Sequence, residues 1–168
     1  MKEGDIIFVT RRHDNDFRGF ISKGIAVLTK HKGQDIEDVK VHSAIIYKSK
    51  GVLMVRDMDK HGDEHYTLKK YTELFHDRME IVNMNHNASQ EKIVWFNNNC
   101  MNNKVKYDYV NTFVFQLVKS LTKKFIGKQS VYHRMCAEDV QRQYNILDDV
   151  FKTPEYTNPN ELYKIVKK

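Results

Sequence analysis

The alternation of apolar and polar positions divides the chain into short strands and amphipathic helices. Asp5-Ile6-Ile7-Phe8-Val9 is apolar and β-rich, and predicts a buried strand. Asp14, Asn15 or Asp16 can cap a helix behind it, with Phe17, Phe20, Ile21, Gly24, Ile25 and Leu28 on one face. Lys30 to Asp38 is polar and predicts a loop. Val41 to Tyr47 and Val52 to Met58 predict two strands, joined by a hairpin turn over Lys48-Ser49-Lys50-Gly51. Lys60 to Thr67 is polar, a loop or a strand extension. A short helical turn near Leu68 to Phe75 leads to a strand over Arg78 to Met84.

In the second half, Asn87-Ala88-Ser89-Gln90 has the pattern of a capping box, with Asn87 as the cap and Gln90 at the third position. The helix after it carries Ile93, Phe96 and Cys100 on one side, which makes Cys100 a packed core residue. Tyr107-Asp108-Tyr109 ends a polar connection. Phe113 to Phe125 is amphipathic, with Lys119, Lys123 and Lys124 on its wetter side. Another helix starts at Cys136 and buries Ala137, Val140 and Tyr144. Thr153-Pro154-Glu155 and Pro159-Asn160-Glu161-Leu162 form a turn-rich tail that closes the domain.

Composition narrows the class. The 168 residues suit a single domain over 1–168 with a sizeable core. Hydrophobic content of 40% and charged content of 30% exclude a disordered chain and a membrane protein. Met1 to Asp5 has no signal-peptide apolar region, so a cytoplasmic protein is expected. Two cysteines are too few for a disulfide framework, and a reducing compartment would keep a thiol free. A net charge of +6 permits an anionic partner. The basic residues are dispersed and form no nucleic-acid motif, so no nucleic acid is expected.

Candidate chemistry centres on Cys136. A helix N-terminus presents free N–H groups and a partial positive charge, and both favour thiolate over thiol. With Lys48 to Gly51 as a four-residue loop, Tyr47 pairs with Val52 and His42 lies directly opposite Asp57. Opposed residues share a face with Cβ atoms roughly 4.5–5.5 Å apart. The carboxylate would hold one imidazole nitrogen and leave the other as a base. Cys136, His42 and Asp57 then supply nucleophile, base and orienting group. The competing readings are an inert core cysteine and a structural His–Asp pair.

Other groups along the chain offer rival chemistry. Glu138 and Asp139 suit the helix dipole and read as solvated first-turn carboxylates, although nearby negative charge would raise the Cys136 pKa. Asp5 reads as structural at its strand start. His61-x-Asp63-x-His65 can converge on a strand face and bind zinc, but the polar segment has no obvious fourth ligand, which favours a solvated loop. His13, His31, His76, His86 and His133 are scattered and read as surface residues. Lys119, Lys123, Lys124, Lys128 and Arg134, interleaved with Phe113, Leu117, Leu121, Phe125 and Ile126, can dock an anionic lipid or membrane surface. An amphipathic helix with a solvated lysine face is the simpler account.

The order of these pieces resembles the circularly permuted papain-like branch of the NlpC superfamily, the YiiX/YaeF-like proteins, which have poxvirus relatives. Gly4-Asp5-Ile6-Ile7-Phe8 resembles that branch's opening Gly-Asp strand, and His42-Ser43-Ala44-Ile45-Ile46 its histidine strand. Val55-Arg56-Asp57-Met58 stands where the branch has its acidic or polar third residue. Tyr107-Asp108 resembles its Tyr-Asp motif, and Tyr132 to Val140 its Cys-Ser-Glu-Leu helix start. Thr153-Pro154 and Pro159-Asn160-Glu161-Leu162 resemble its closing turn. Asp57 stands where glutamate is common, and Ala137 replaces the usual serine.

The resemblance implies a permuted papain-like α+β fold, an antiparallel sheet packed with helices. It implies a cysteine hydrolase or acyltransferase acting on an amide, ester or thioester of a peptide or lipid substrate, without a cofactor. A virus or phage origin is consistent with the composition. The alternatives are a catalytically inactive binding module and a metal-dependent hydrolase built on the surplus histidines.

Overall fold

The computed structural model describes residues 1–10, 17–59, 61–108, 118, 133–152 and 157–168, with side chains from 22 onward in the first helix. The order of elements is β1 (Ile6–Thr10), α1 (Phe17–Thr29), β2 (Lys40–Ser49), β3 (Val52–Asp59), β4 (Gly62–Thr67), α2 (Leu68–Phe75), a 3-10 turn (His76–Arg78), β5 (Met79–Val82), α3 (Gln90–Asn102), β6 (Lys106–Tyr107), β7 (His133–Arg134), α4 (Cys136–Leu147) and α5 (Pro159–Val166). Among the described residues this is an α+β chain built on a five-stranded antiparallel sheet in the order β4-β3-β2-β1-β5.

The sheet is covered on both faces, which is why its central strand β2 reads as a nearly continuous apolar run rather than an alternation. Ile6, Phe8, Ile45 and Tyr47 point to one face. There they pack against Phe96 and Cys100 of α3, Ala137, Val140 and Tyr144 of α4, and Leu162 of α5. Ile7, Val9, Ala44, Ile46 and Val55 point to the other face and pack on Tyr71 of α2. Period-two patterning thus places α4 on one side of the sheet and α2 on the other. Cys100 is a buried core residue, as its helical spacing predicts. Asp5 is structural: Oδ2 accepts the Lys2 N–H and Oδ1 the Met84 N–H, at 2.8 and 3.0 Å.

Several local expectations need correction. The β2–β3 connection is a two-residue turn, not four: Ser49 pairs with Val52, and Lys50 and Gly51 take φ of 49° and 83°. Positive φ at both central positions is the primed turn whose twist matches the flanking strands. The His61–His65 segment is not a solvated loop; Gly62–Thr67 is strand β4, paired along β3. Helix α3 is capped by Ser89, which accepts the Lys92 N–H, so Gln90 opens the helix and is not the third residue of a box on Asn87. The tail is helical from Pro159. Asn158 accepts the Glu161 N–H, Glu161 returns a bond to the Asn158 N–H, and Pro159 occupies the first turn.

Among the described side chains of α1, Ala26 and Thr29 are buried, Ile25 and Leu28 are half-buried, and Gly24 is exposed. The expected cap at Asp14 to Asp16, the helix over Phe113 to Phe125 with its lysines, His13, Lys128, Tyr132 and Thr153-Pro154 lie outside the described residues. No helix among the described residues is long and apolar enough to cross a membrane.

Candidate functional site

His42 lies near the end of β2, beside an irregularity in its pairing with β1. Val9 pairs with His42, but Thr10 pairs with Lys40, which leaves Val41 as an extra residue. Such a bulge re-aims the side chains beside it and is common near functional sites. Asp57 comes from β3. The observed register sets Ala44, not His42, opposite Asp57. The pair is therefore diagonal, displaced by two residues from the expected alignment. A two-residue displacement preserves the face, whereas one residue would have reversed it. Diagonal neighbours remain within reach of long side chains. His42 Nε2 and Asp57 Oδ1 are 2.5 Å apart, with the Asp57 side chain 5% exposed and His42 20%.

Cys136 is the first residue of α4. Its cap position, Met135, makes no side-chain cap bond, so the first N–H groups of the helix are left without that partner. The thiol packs with Met58, Val105 and Tyr107 and is 4% exposed. It is close enough to His42 to act on it through charge, without a well-formed hydrogen bond between the two. Because Nε2 faces Asp57, Nδ1 is the nitrogen left for sulfur. Burial alone would lower the His42 pKa. The Asp57 carboxylate, then the Cys136 charge, then the hydrogen bond to Asp57 outweigh it and hold the imidazolium well above its ordinary range. The three predicted residues thus come together, though the hairpin alignment that suggested two of them was wrong in detail.

The first-turn carboxylates are not solvated, contrary to expectation. Glu138 and Asp139 are each 2% exposed. Asp139 accepts Arg56 Nε at 2.8 Å and Arg134 at 3.0 Å. Burial pushes the Asp139 carboxyl up, but the two guanidiniums outweigh it and hold it below its ordinary value. Glu138 accepts Arg142 Nε at 2.9 Å and the backbone N–H of Met135, half of a capping box. Burial raises its pKa in spite of both. Three guanidiniums answer two carboxylates here, so the negative charge expected to oppose a Cys136 thiolate is compensated.

Arg56, itself fully buried, also bonds Asp63 and the carbonyls of Cys100 and Asn103. Asp63 lies 3.3 Å from His65 Nε2, and His65 Nδ1 meets the Tyr47 hydroxyl. A guanidinium thus already faces the Asp63 carboxylate that a zinc reading would use. Among the described residues no group of three or more His, Cys, Asp or Glu is arranged to hold a metal ion.

Two further residues border the site. Tyr71 is fully buried, and its hydroxyl lies against Asp57 without a well-formed hydrogen bond. Burial, with Asp57 next, raises its pKa well above the ordinary phenol value. Periodicity placed Tyr71 on a helix but could not show which strand residue it meets. Tyr107 is brought in by a two-residue parallel ladder, in which it pairs with Arg134 just ahead of Cys136. This joins the Tyr107-Asp108 motif to the cysteine helix.

A cleft of about 390 Å³ opens on the His42–Asp57 side, bordered by Val9, Ile25, Val41, Tyr66, Leu74, Phe75, Arg78 and Tyr107, among others. On the Cys136 side there is a narrow apolar crevice of about 20 Å³ between Ile25, Leu28, Val41, Met135 and Pro159. Ile25, Val41 and Tyr107 border both, so the two openings adjoin. No protein-family model matches the chain, and no curated protein matches it.

Proposed function

We propose that the chain is a permuted papain-like cysteine hydrolase or acyltransferase, with Cys136 as nucleophile, His42 as base and acid, and Asp57 as the residue that orients His42. The observation that carries this reading is the convergence of a helix-terminal thiol on an imidazole whose far nitrogen is held at 2.5 Å by a buried carboxylate. A cleft of about 390 Å³ beside that pair is large enough for a small organic group.

The chemistry follows from the parts. The Cys136 thiolate adds to the carbonyl carbon of an amide, ester or thioester, and the carbonyl electron pair moves to oxygen. Free N–H groups at the start of α4 stabilise that oxyanion. Collapse breaks the bond to the leaving group, which takes the His42 proton. Water or an acceptor nucleophile then gives a proton to His42 and attacks the thioester. Release of the thiolate completes the turn without a cofactor. Because His42 protonates the leaving group, that group occupies the roomy His42 side.

A second reading, an inactive binding module, is favoured by one observation: Cys136 is 4% exposed. Thiol alkylation decides between them. Iodoacetamide labelling followed by mass spectrometry should modify Cys136 rapidly below pH 8 and leave Cys100 untouched, because burial pushes the Cys100 thiol pKa well up. His42→Ala should slow Cys136. Equal inertness of both cysteines in the folded protein would overturn the catalytic reading and leave the binding module.

A further inference from the structure

The His42-side cleft holds a charged group that the chemistry above does not use. Arg78 closes the 3-10 turn and borders the cleft together with Thr10, Leu74 and Phe75. Its guanidinium lies over the Phe75 ring, 5.4 Å from the centroid. It makes no ion pair with any carboxylate among the described residues. The other buried or half-buried arginines near the site behave differently: Arg56, Arg134 and Arg142 all carry a carboxylate partner. The Thr10 hydroxyl donates to the Arg78 carbonyl at 3.4 Å and ties this turn to the sheet.

Position follows from the register. Val9 pairs with His42 on one side and with Met79 on the other. Arg78 precedes Met79, so its backbone stands about two strand spacings, roughly 10 Å, from that of His42. The opposite end of the cleft carries Asp57 and Asp59. An anion in this cleft is repelled from the Asp59 end and attracted to Arg78. The interval is bordered by Val9, Leu74 and Phe75, which suit an apolar spacer. One guanidinium matches one negative charge, and its planar fork matches a carboxylate.

We propose that Arg78 is an anion-binding residue for the substrate, receiving a carboxylate carried by the leaving group at the far end of the His42-side cleft. This rests on the assignment of His42 as the acid for the leaving group. It names the substrate class as an acylated amine or alcohol with an apolar spacer and a terminal carboxylate. A phosphodiester would offer the same single charge from a lipid source.

The probe is N-chloroacetyl-5-aminopentanoate, which places an electrophilic carbon at Cys136 and a carboxylate at the far end. Its primary amide and a phosphodiester-tailed analogue are compared with it, and unsubstituted chloroacetamide is the control. Mass spectrometry reads the rate at Cys136 in the wild type, Arg78→Ala and Arg78→Lys, with melting curves to check folding. The acid should outrun the amide about tenfold in the wild type. The ratio should fall to about one in Arg78→Ala and be largely restored in Arg78→Lys, with chloroacetamide unaffected. An acid-to-amide ratio that Arg78→Ala leaves unchanged, while chloroacetamide labels normally, overturns the subsite. A faster phosphodiester overturns the carboxylate and assigns a lipid headgroup. Should chloroacetamide fail at Cys136, the catalytic reading fails separately. The subsite is then read by NMR titration with unreactive N-acetyl-5-aminopentanoate: shifts at Thr10, Phe75 and Arg78 that vanish in Arg78→Ala support it, and their absence in the wild type refutes it.

Discussion

Asp57→Asn tests the claim that a buried carboxylate holds His42 as an imidazolium. The bond spans 2.5 Å, and the Asp57 side chain is 5% exposed, so water screens little of its charge. A hydrogen bond to a charged group contributes about 1.5–3 kcal/mol, against about 0.5–1.5 for a neutral one. The introduced asparagine keeps an acceptor for Nε2 and loses only the charge. The difference is about 1–1.5 kcal/mol, or about one pKa unit. Asp57→Ala loses the bond as well and should lower His42 by about two units.

The assay is the NMR titration of the His42 Cε1–H resonance, with His42→Gln to assign it. The wild type should titrate well above 6.5, because Asp57 and Cys136 together overcome the effect of burial. Asp57→Asn should bring the midpoint down by about one unit. Cys136→Ser should also lower it, since the thiolate is the next contributor after Asp57. The linkage sign follows. A folded pKa above the unfolded value adds stability that is fully present below about pH 6.5 and lost as pH rises through the folded value. The gap in melting temperature between wild type and Asp57→Asn should therefore be widest below pH 6.5 and narrow at alkaline pH. A wild-type His42 that titrates near 6.5, or a midpoint indifferent to Asp57→Asn, would refute the reasoning.

Three other outcomes follow from the surrounding contacts. Asp139→Asn leaves Arg56 and Arg134 without their shared carboxylate, and urea unfolding should show a loss of about 3–5 kcal/mol. Glu80 is held by Lys40, Lys167 and Tyr163 at a pKa of about 2, despite the upward pull of burial. Its stabilisation is present above the ordinary value and lost as pH falls. The melting-temperature gap between wild type and Glu80→Gln should be full at pH 7, shrink between pH 4.5 and about 2, and vanish below. Tyr71→Phe removes a hydroxyl with no well-formed bond, so equilibrium unfolding should change by less than about 1 kcal/mol. A larger loss would show that the hydroxyl supports Asp57.

What the sequence disclosed was parity, and what it withheld was partnership. The period of two in side-chain direction along Val41–Tyr47 and Val52–Met58 assigns each residue to a face, and His42 and Asp57 share one whether the turn holds two residues or four. The pairing was thus legible although the register was not. Lys50-Gly51 lacks the Asn-Gly or Asp-Gly signature of a two-residue turn, so local chemistry did not set the loop length. The Cys136 helix start was legible for the same local reason, since Ala137, Val140 and Tyr144 recur at helical spacing. The capping box at Asn158, Pro159 and Glu161 was equally local and was missed only because proline was read as a turn.

The fate of Asp139 is different in kind. Nothing near it in the chain distinguishes a solvated carboxylate from a buried one, because Arg56, which decides the matter, lies 83 residues away. A carboxylate at a helix N-terminus is favourable in either state, so propensity cannot choose. Here burial is a property of the pair: Arg56 can be fully buried because Asp139 and Asp63 face it, and Asp139 can be buried because Arg56 and Arg134 do. Arg78 stands apart from these arginines. Where compensation is complete, an arginine is part of the fold. Arg78 borders a cavity, and among the described residues no carboxylate forms an ion pair with it.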